Sequence, residues 1–492
     1  MALSIYKREL LDIYNCAVSS VKPELVIEKA LSFGKDQLII REPDNTRTSI
    51  LLYNKSLHII GGGKCTLSMA CGSASIAVRA NVAHLFSHGC LSVPVDQRSR
   101  FEKEKLDRLL CKVGVKCLFG SKDNLPDGGS VVASESILNS IRRVREDSFR
   151  TGRDPVFILL LSGGGSACLT KPKFISLEEK LNLIRFLAQR GADIVELNTV
   201  RRCFSSIKGG HLATYIFKQC PTAKIVTLIL SDVVGDPIDV IASGPTYIPK
   251  PKDILKHEST LKPILTKYKY PNMSRLLGMR ADTDMEMLDD IRDLIKFYDV
   301  DLDSQIHNKV VGNNLVAFEA ALNLATNLGY NVISLGNKIQ GSTEDVITNM
   351  LTEAKGTNLN QEKTLIIGAG EATVSKKPNE QWGLGGRAQE MALDYLIATM
   401  NRCDSSNGSL DLFLAASTDG QDGPTEVAAC MASCSEIHDD IQAPIQQEEL
   451  LEAKKAHDSY NFWKTRKPEW LFCPGPTGTN VMDLYMLVKA RR

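Results

Sequence analysis

Val156-Phe-Ile-Leu-Leu-Leu161, followed at once by Ser162-Gly-Gly-Gly-Ser166, is the stretch that decides the fold. A six-residue apolar run cut off by a glycine turn reads as a strand buried on both faces, the kind found in parallel sheets. The same pattern recurs outward from it in both directions. Leu57–Ile60 ends at Gly61-Gly-Gly-Lys64, and Ile225–Leu230 ends at Ser231-Asp232. Leu365–Ile367 ends at Gly368-Ala-Gly-Glu371, and Leu412–Ala416 ends at Ser417-Thr-Asp-Gly420. Helix-like segments alternate with these runs. Ser176-Leu-Glu-Glu179 is a capping box that opens one, and Asn314–Leu328 carries apolar residues at helical spacing up to Gly329. Strands alternating with helices imply an α/β fold of parallel βαβ units, covered on both faces. The polar residues cluster just after the strands, where open parallel sheets bind ligands.

A chain of 492 residues exceeds one ordinary core, so two domains of roughly 200–250 residues are implied. The 43% hydrophobic and 24% charged content is that of a globular protein and excludes disordered, coiled-coil and membrane classes. A net charge of +1 gives no nucleic-acid footprint. The thirteen cysteines form no CxxC pair, which reads as reduced thiols without a zinc site. The N-terminus sets Leu10, Leu11, Tyr14, Ala17 and Val18 at helical spacing, with acids at Glu9 and Asp12. It reads as an amphipathic helix rather than a targeting segment, which places the protein in the cytoplasm rather than a mitochondrion. Residues 249–305 read as a partly helical inter-domain region, and 401–409 and 435–456 as surface excursions.

Seven polar clusters carry the chemistry. Glycines at 163–165 let backbone N–H groups converge on an anion, so Ser162, Gly163, Gly164, Gly165 and Ser166 are candidate phosphate binders; a tight structural turn is the other reading. Lys64, just past its own glycine turn, can project an ammonium toward a phosphate or carboxylate. Asn198, Arg201, Arg202 and Lys208 lie within about a dozen residues, and arginine grips carboxylates bidentately. They form either a substrate grip or an exposed basic helix face. Asp232, in a loop after a buried strand, is a candidate magnesium ligand or general base. Glu371 ends a strand ahead of the glycine loop Gly383–Gly386, and Arg387 stands at a helix start, where a cation is costly unless an anion sits nearby. Asp419 and Asp422 lie three apart among glycines and suit a catalytic or metal-organising role. Pro474–Asn480 reads either as a turn or as a further site.

Taken in order, SGGGSACL (162–169), ELNTVRRCFSSIKGGHLA (196–213), LILSDVVGDPIDVIASGPT (228–246), GLGGRAQEMAL (383–393), STDGQDGPTE (417–426) and GPTGTNVMDL (475–484) closely resemble the class II glycerate kinases, the family with a MOFRL domain. The resemblance covers the chain from about residue 9 to its end. It implies two α/β domains, here 1–290 and 291–492, the first Rossmann-like, with the active site in the inter-domain cleft. It also implies conversion of D-glycerate to 2-phosphoglycerate with ATP and Mg²⁺, in serine and fructose breakdown. By motif position Lys64, Arg387 and Asp419 are the implied catalytic residues. Asn198, Arg201 and Lys208 are then substrate-binding, Ser162–Ser166 and Glu371 nucleotide-binding, and Asp232 metal-binding. The implied partners are glycerate and ATP, with no nucleic acid or membrane, in a monomer or homodimer. Gly63-Lys64-Cys65 and Pro474 depart from the usual family residues. A hydroxypyruvate reductase and an inactive ligand-binding sensor are the alternatives; against the first stands the missing GxGxxG.

Overall fold

The computed structural model describes residues 2–122, 124–248, 261–278, 301–355, 363–374, 382–400, 409–439 and 444–491. They form two compact units, one of residues 23–231 and 236–311, the other of residues 1–22, 232–235 and 312–492. This differs from a division at 290/291. The helix Ala2–Ser20 groups with the C-terminal unit because its apolar stripe, with Leu10, Ile13, Tyr14 and Ala17 buried, packs on the helix Asn314–Asn327.

The N-terminal unit carries a small antiparallel sheet of β1 (Leu31–Phe33), β2 (Gln37–Arg41) and β3 (Arg47–Leu51). Its main sheet has six strands: β4 (Lys55–Gly62), β5 (Gly89–Val93), β6 (Val115–Phe119), β7 (Asp154–Ser162), β8 (Lys224–Leu230) and β9 (Ile306–Gly312), in the order β6-β5-β4-β7-β8-β9. The pairings β5–β6, β4–β5, β4–β7 and β7–β8 are all parallel. Counted from β4 the order is 3-2-1-4-5-6, that of the Rossmann fold, and it reverses between β4 and β7. The opening apolar run is the central strand, with Val156 through Leu161 all buried. The capping box forms as read: Ser176 Oγ accepts from Glu179 N, and Glu179 Oε2 accepts from Ser176 N.

Residues 261–278 are not a linker. Leu261, Ile264, Leu265, Tyr268 and Leu276 are buried in one cluster with Leu183, Leu187, Val200 and Phe204 of the N-terminal unit. The rest of the stretch expected between domains, 249–260 and 279–300, lies outside the described residues.

The C-terminal unit holds β10 (Asn331–Ser334), β11 (Ile339–Ser342), β12 (Lys363–Thr373), β13 (Ser409–Ser417), β14 (Ala429–Ala432), β15 (Leu471–Phe472) and β16 (Asp483–Arg491). Their order is β10-β12-β16-β13-β14-β15, with β11 also on β12. Here parallel and antiparallel pairings mix: β10 and β11 run parallel to β12, as βαβ units require. The last strand, β16, lies between β12 and β13 and runs antiparallel to both, and β14 is antiparallel to β13. Only the loop 418–428 joins β13 to β14, too short for the helical crossover that parallel neighbours need. The 401–408 excursion lies outside the described residues. The 435–456 stretch is packed where described, with Ile437, Ile445 and Leu450 buried. Among the described residues no helix is long and apolar enough to cross a membrane.

Candidate active site

Two polar groups arise at strand ends, one in each unit. In the N-terminal unit the turns after β4 and β7 meet at the point where the strand order reverses. They are stitched together: Lys64 N donates to Gly163 O at 2.8 Å, and Cys65 N donates to Ser162 Oγ at 2.9 Å. Gly164 adopts φ 74°, and a Cβ there would sit 3.1 Å from Lys64 Cγ, so the lysine stem lies directly over the turn. Among the described residues, the amides of Gly163, Gly164 and Gly165 donate no backbone hydrogen bond. Convergent amides without acceptors, beside a lysine, are what a phosphate requires. The two serines serve differently from the expectation: Ser162 Oγ braces Cys65, and Ser166 Oγ pairs with Ser243 Oγ at 2.7 Å. Their side chains hold the nest together.

Lys208 is also re-read. It is fully buried, and its Nζ donates to Ser166 O at 2.7 Å, within the short helix Gly165–Cys168 after the glycine turn, and to Leu169 O just past that helix. Burial drives its pKa well down, with Lys180 and Arg201 adding repulsion. It is a clamp on the nest rather than a hand reaching for substrate. Lys180 is its companion: buried, with Nζ donating to Phe204 O at 2.7 Å and its pKa pushed down to about 7 by desolvation. Sequence reasoning missed it, although a lysine three and seven residues before the buried Leu183 and Leu187 sits on the helix's apolar face. Arg201 is partly buried, donates to Asn198 Oδ1 at 3.0 Å, and has its pKa lowered by burial. Arg202 instead pairs with Asp239. Among the described residues Lys64, Lys180, Arg201 and Lys208 form no ion pair, so this region is cationic without internal compensation. Asp232 is partly buried in the loop after β8, in the short segment 232–235 that groups with the C-terminal unit.

In the C-terminal unit the antiparallel pairings bring one row of positions together, for Asp483 pairs with Gly370 of β12 on one side and Ser417 of β13 on the other. Arg387, first residue of the helix Arg387–Thr399, lies over this row. It donates to Glu371 Oε1 at 2.7 Å and engages both oxygens of buried Asp483. Burial opposes its charge, but Asp483 and Glu371 more than offset that and raise its pKa. Burial pushes Asp483 up to about 6 against the pull of Arg387. Asp419 Oδ1 accepts from Ser417 Oγ and from Gln421 N, both at 3.0 Å, which fixes its orientation in a partly exposed turn.

The anion that the helix start demanded is internal. Fully buried Asp422 accepts from Ala388 N and Gln389 N, each at 3.0 Å, and from Gln389 Nε2 at 2.9 Å. Gly386 is required beside it, since an added Cβ would lie 2.3 Å from Asp422 Cγ. Asp422 therefore caps the helix and is not free to hold a metal. The Pro474–Asn480 turn proves structural: Thr477 Oγ1 donates to Thr418 O at 2.6 Å and Thr479 Oγ1 to Val21 O at 2.7 Å. Asp483 was the main omission; an acid inside the apolar run Val481-Met-Asp-Leu484 was its signal.

For Mg²⁺, no three His, Cys, Asp or Glu side chains converge on a metal position among the described residues. Mg²⁺ carried by a nucleotide needs only one or two protein carboxylates.

Two family models match the chain: a domain of unknown function, DUF4147, over residues 9–275, and the MOFRL family over residues 364–483. Mouse glycerate kinase is 30% identical over 538 aligned residues, covering 99% of this chain and 93% of the mouse protein. The chain belongs to the glycerate kinase family. Another relative, the D-glycerate 2-kinase of Thermotoga maritima, is 33% identical over 73% of this chain and 78% of its own length. The crystal structure of a glycerate kinase from the same organism shares the fold, with a TM-score of 0.66 at 23% identity over 99% of this chain and 100% of the other. A Pyrococcus horikoshii protein matches with the same score and identity over 99% of each chain. The DUF4147 match contains the nest, Lys64, Asn198, Arg201, Lys208 and Asp232; the MOFRL match contains Glu371, Arg387 and Asp419 and ends on Asp483.

Proposed function

We propose that this kinase transfers the γ-phosphate of ATP to D-glycerate, giving 2-phosphoglycerate and ADP. The observation that carries the reading is the set of glycine amides that, among the described residues, donate no backbone hydrogen bond, beside Lys64 at the switch point of a Rossmann-ordered sheet. Lys64 and the nest hold phosphate oxygens; Arg201, kept in place through Asn198, holds the glycerate carboxylate. Asp232 binds Mg²⁺, which supplies charge neutralisation on the phosphates when bound. Arg387 stabilises charge on the transferring group, and Asp419 orients the attacking hydroxyl and takes its proton as the new O–P bond forms and ADP departs. Such chemistry is mostly positioning and electrostatics. Glu371 acts through Arg387 rather than on the nucleotide directly, since its Oε1 accepts from that guanidinium.

The strand order is also that of dinucleotide-binding proteins, which gives the reductase reading one observation in its favour. The first turn, however, reads Gly61-Gly-Gly-Lys-Cys-Thr66, with threonine where the GxGxxG fingerprint has its third glycine. A panel of small hydroxy acids with ATP, products identified by phosphorus NMR, beside an NADH-oxidation assay with hydroxypyruvate, decides the matter. A phosphorylated acid with no NADH consumption is expected; turnover only with NADH would overturn the kinase reading.

A further inference from the structure

The opposite edge of the six-stranded sheet holds a cleft of about 680 Å³ that the proposed reaction does not use. The lining takes in Gly89, the first residue of β5, with Lys116 and Leu118 of β6, and shares no residue with the nest after β4 and β7. Its lining includes His84, His88, Lys112, Lys116 and Arg143 and no aspartate or glutamate. Ser136, Asn139 and Ser140 add polar groups, and Ala83, Phe86 and Leu118 an apolar wall. Its volume is that of a small-molecule pocket.

The wall of the cleft is built, not incidental. His88 holds φ 50°, a left-handed conformation that a non-glycine residue keeps only when its surroundings impose it. Three contacts do so. The hydroxyl of Ser140 donates to His88 O, and the His88 ring pairs with Asp147 through Nε2 at 2.5 Å. Behind the wall, buried His58 faces Ser87 O through Nδ1 at 2.7 Å and Ser56 Oγ through Nε2 at 2.9 Å. A carbonyl only accepts, so Nδ1 carries the His58 proton, and desolvation keeps the ring neutral with a pKa near 4. A strained turn fixed from three sides, beside three cations with no acid among the lining residues, has the marks of a ligand site.

We propose that this cleft is a second, non-catalytic binding site for a small organic phosphate, its phosphate held by Lys112, Lys116 and Arg143 and its carbon skeleton set against Phe86 and Leu118. The proposal stands apart from the kinase reading. Its test is calorimetric titration of the full chain with inorganic pyrophosphate and, separately, with adenosine monophosphate, at physiological ionic strength. Lys116→Glu with Arg143→Glu should lower the number of bound ligands by one relative to wild type, whatever the nest itself binds. Lys64→Ala should leave the cleft site intact. Both residues are exposed, so melting should stay within a few degrees; if that pair fails to fold, Lys112→Glu serves, with an expected affinity loss of at least tenfold. Unchanged stoichiometry and affinity in folded cleft variants would overturn the proposal. Binding of pyrophosphate but not of the monophosphate at the cleft would reduce the ligand to the anion and overturn the apolar half.

Discussion

The two polar regions solve opposite electrostatic problems. In the N-terminal unit, Lys64, Lys180, Arg201 and Lys208 find no carboxylate among the described residues, and the glycine amides find no acceptor. In the C-terminal unit a single arginine faces Glu371 and Asp483, while a further carboxylate, Asp422, fills the helix start from within. The first region leaves its cations and amides uncompensated among the described residues. The second is complete as folded. Ligand binding should therefore stabilise the first strongly, and mutation should destabilise the second even without ligand.

The largest expected effect tests the completed region. Arg387→Ala should lower kcat by about 10³-fold, the scale of a charge-stabilising arginine in phosphoryl transfer. A loss under tenfold, measured by coupled ADP release, removes Arg387 from the chemistry. Lys64→Ala should instead act on the incomplete region, raising the KM for ATP at least tenfold with little change in melting temperature; near-normal phosphorylation by both this variant and Asp419→Asn would sink their assigned roles. Asp422→Ala should lower stability by about 3 kcal/mol, because two buried helix amides and the Gln389 side chain lose their acceptor. Chemical denaturation of the unliganded protein measures that loss. Lys208→Met should cost about 2 kcal/mol by stranding two buried carbonyls. It should also weaken nucleotide binding, whereas a clamp irrelevant to the nest would leave nucleotide affinity unchanged.

The smallest effect concerns pH, and the regions titrate with opposite sign. Asp483 has its pKa raised from 3.8 to about 6, so the folded state holds the extra proton. Its contribution is full below pH 3.8 and lost as pH rises through about 6. Lys180 has its pKa lowered from 10.5 to about 7, so its contribution is full above pH 10.5 and lost as pH falls through about 7. Asp483→Asn should flatten the stability profile on the acid side, and Lys180→Met on the alkaline side. Equal flattening by both, or by neither, would dissolve the contrast.

The N-terminal sheet was legible because each buried strand announces itself by an apolar run and each turn by glycine, as at Leu161-Ser162-Gly163. The C-terminal sheet was not. Strand direction there is set by β16, whose partners lie more than a hundred and about seventy residues earlier at Gly370 and Ser417-to-Asp411, and no local pattern records such pairing. The site followed the same rule. Lys64, Arg387 and Asp419 were visible as polar residues beside glycines, but the division of labour was not. Whether Lys208 meets substrate or a carbonyl depends on burial, and whether Arg387 awaits an anion depends on Asp483, ninety-six residues away.

The placement of β16 also bears on how the protein is made. The strand at the heart of the C-terminal sheet follows the other strands of that sheet in the chain, and the helix Ala2–Ser20 that packs in the same unit precedes them all. While the N-terminal unit can close once residue 311 has left the ribosome, that helix must wait for most of the chain with Leu10, Ile13 and Tyr14 uncovered. Truncation after residue 482 takes out the strand joining β12 to β13, so chaperone dependence and truncation sensitivity should concentrate in this half of the molecule.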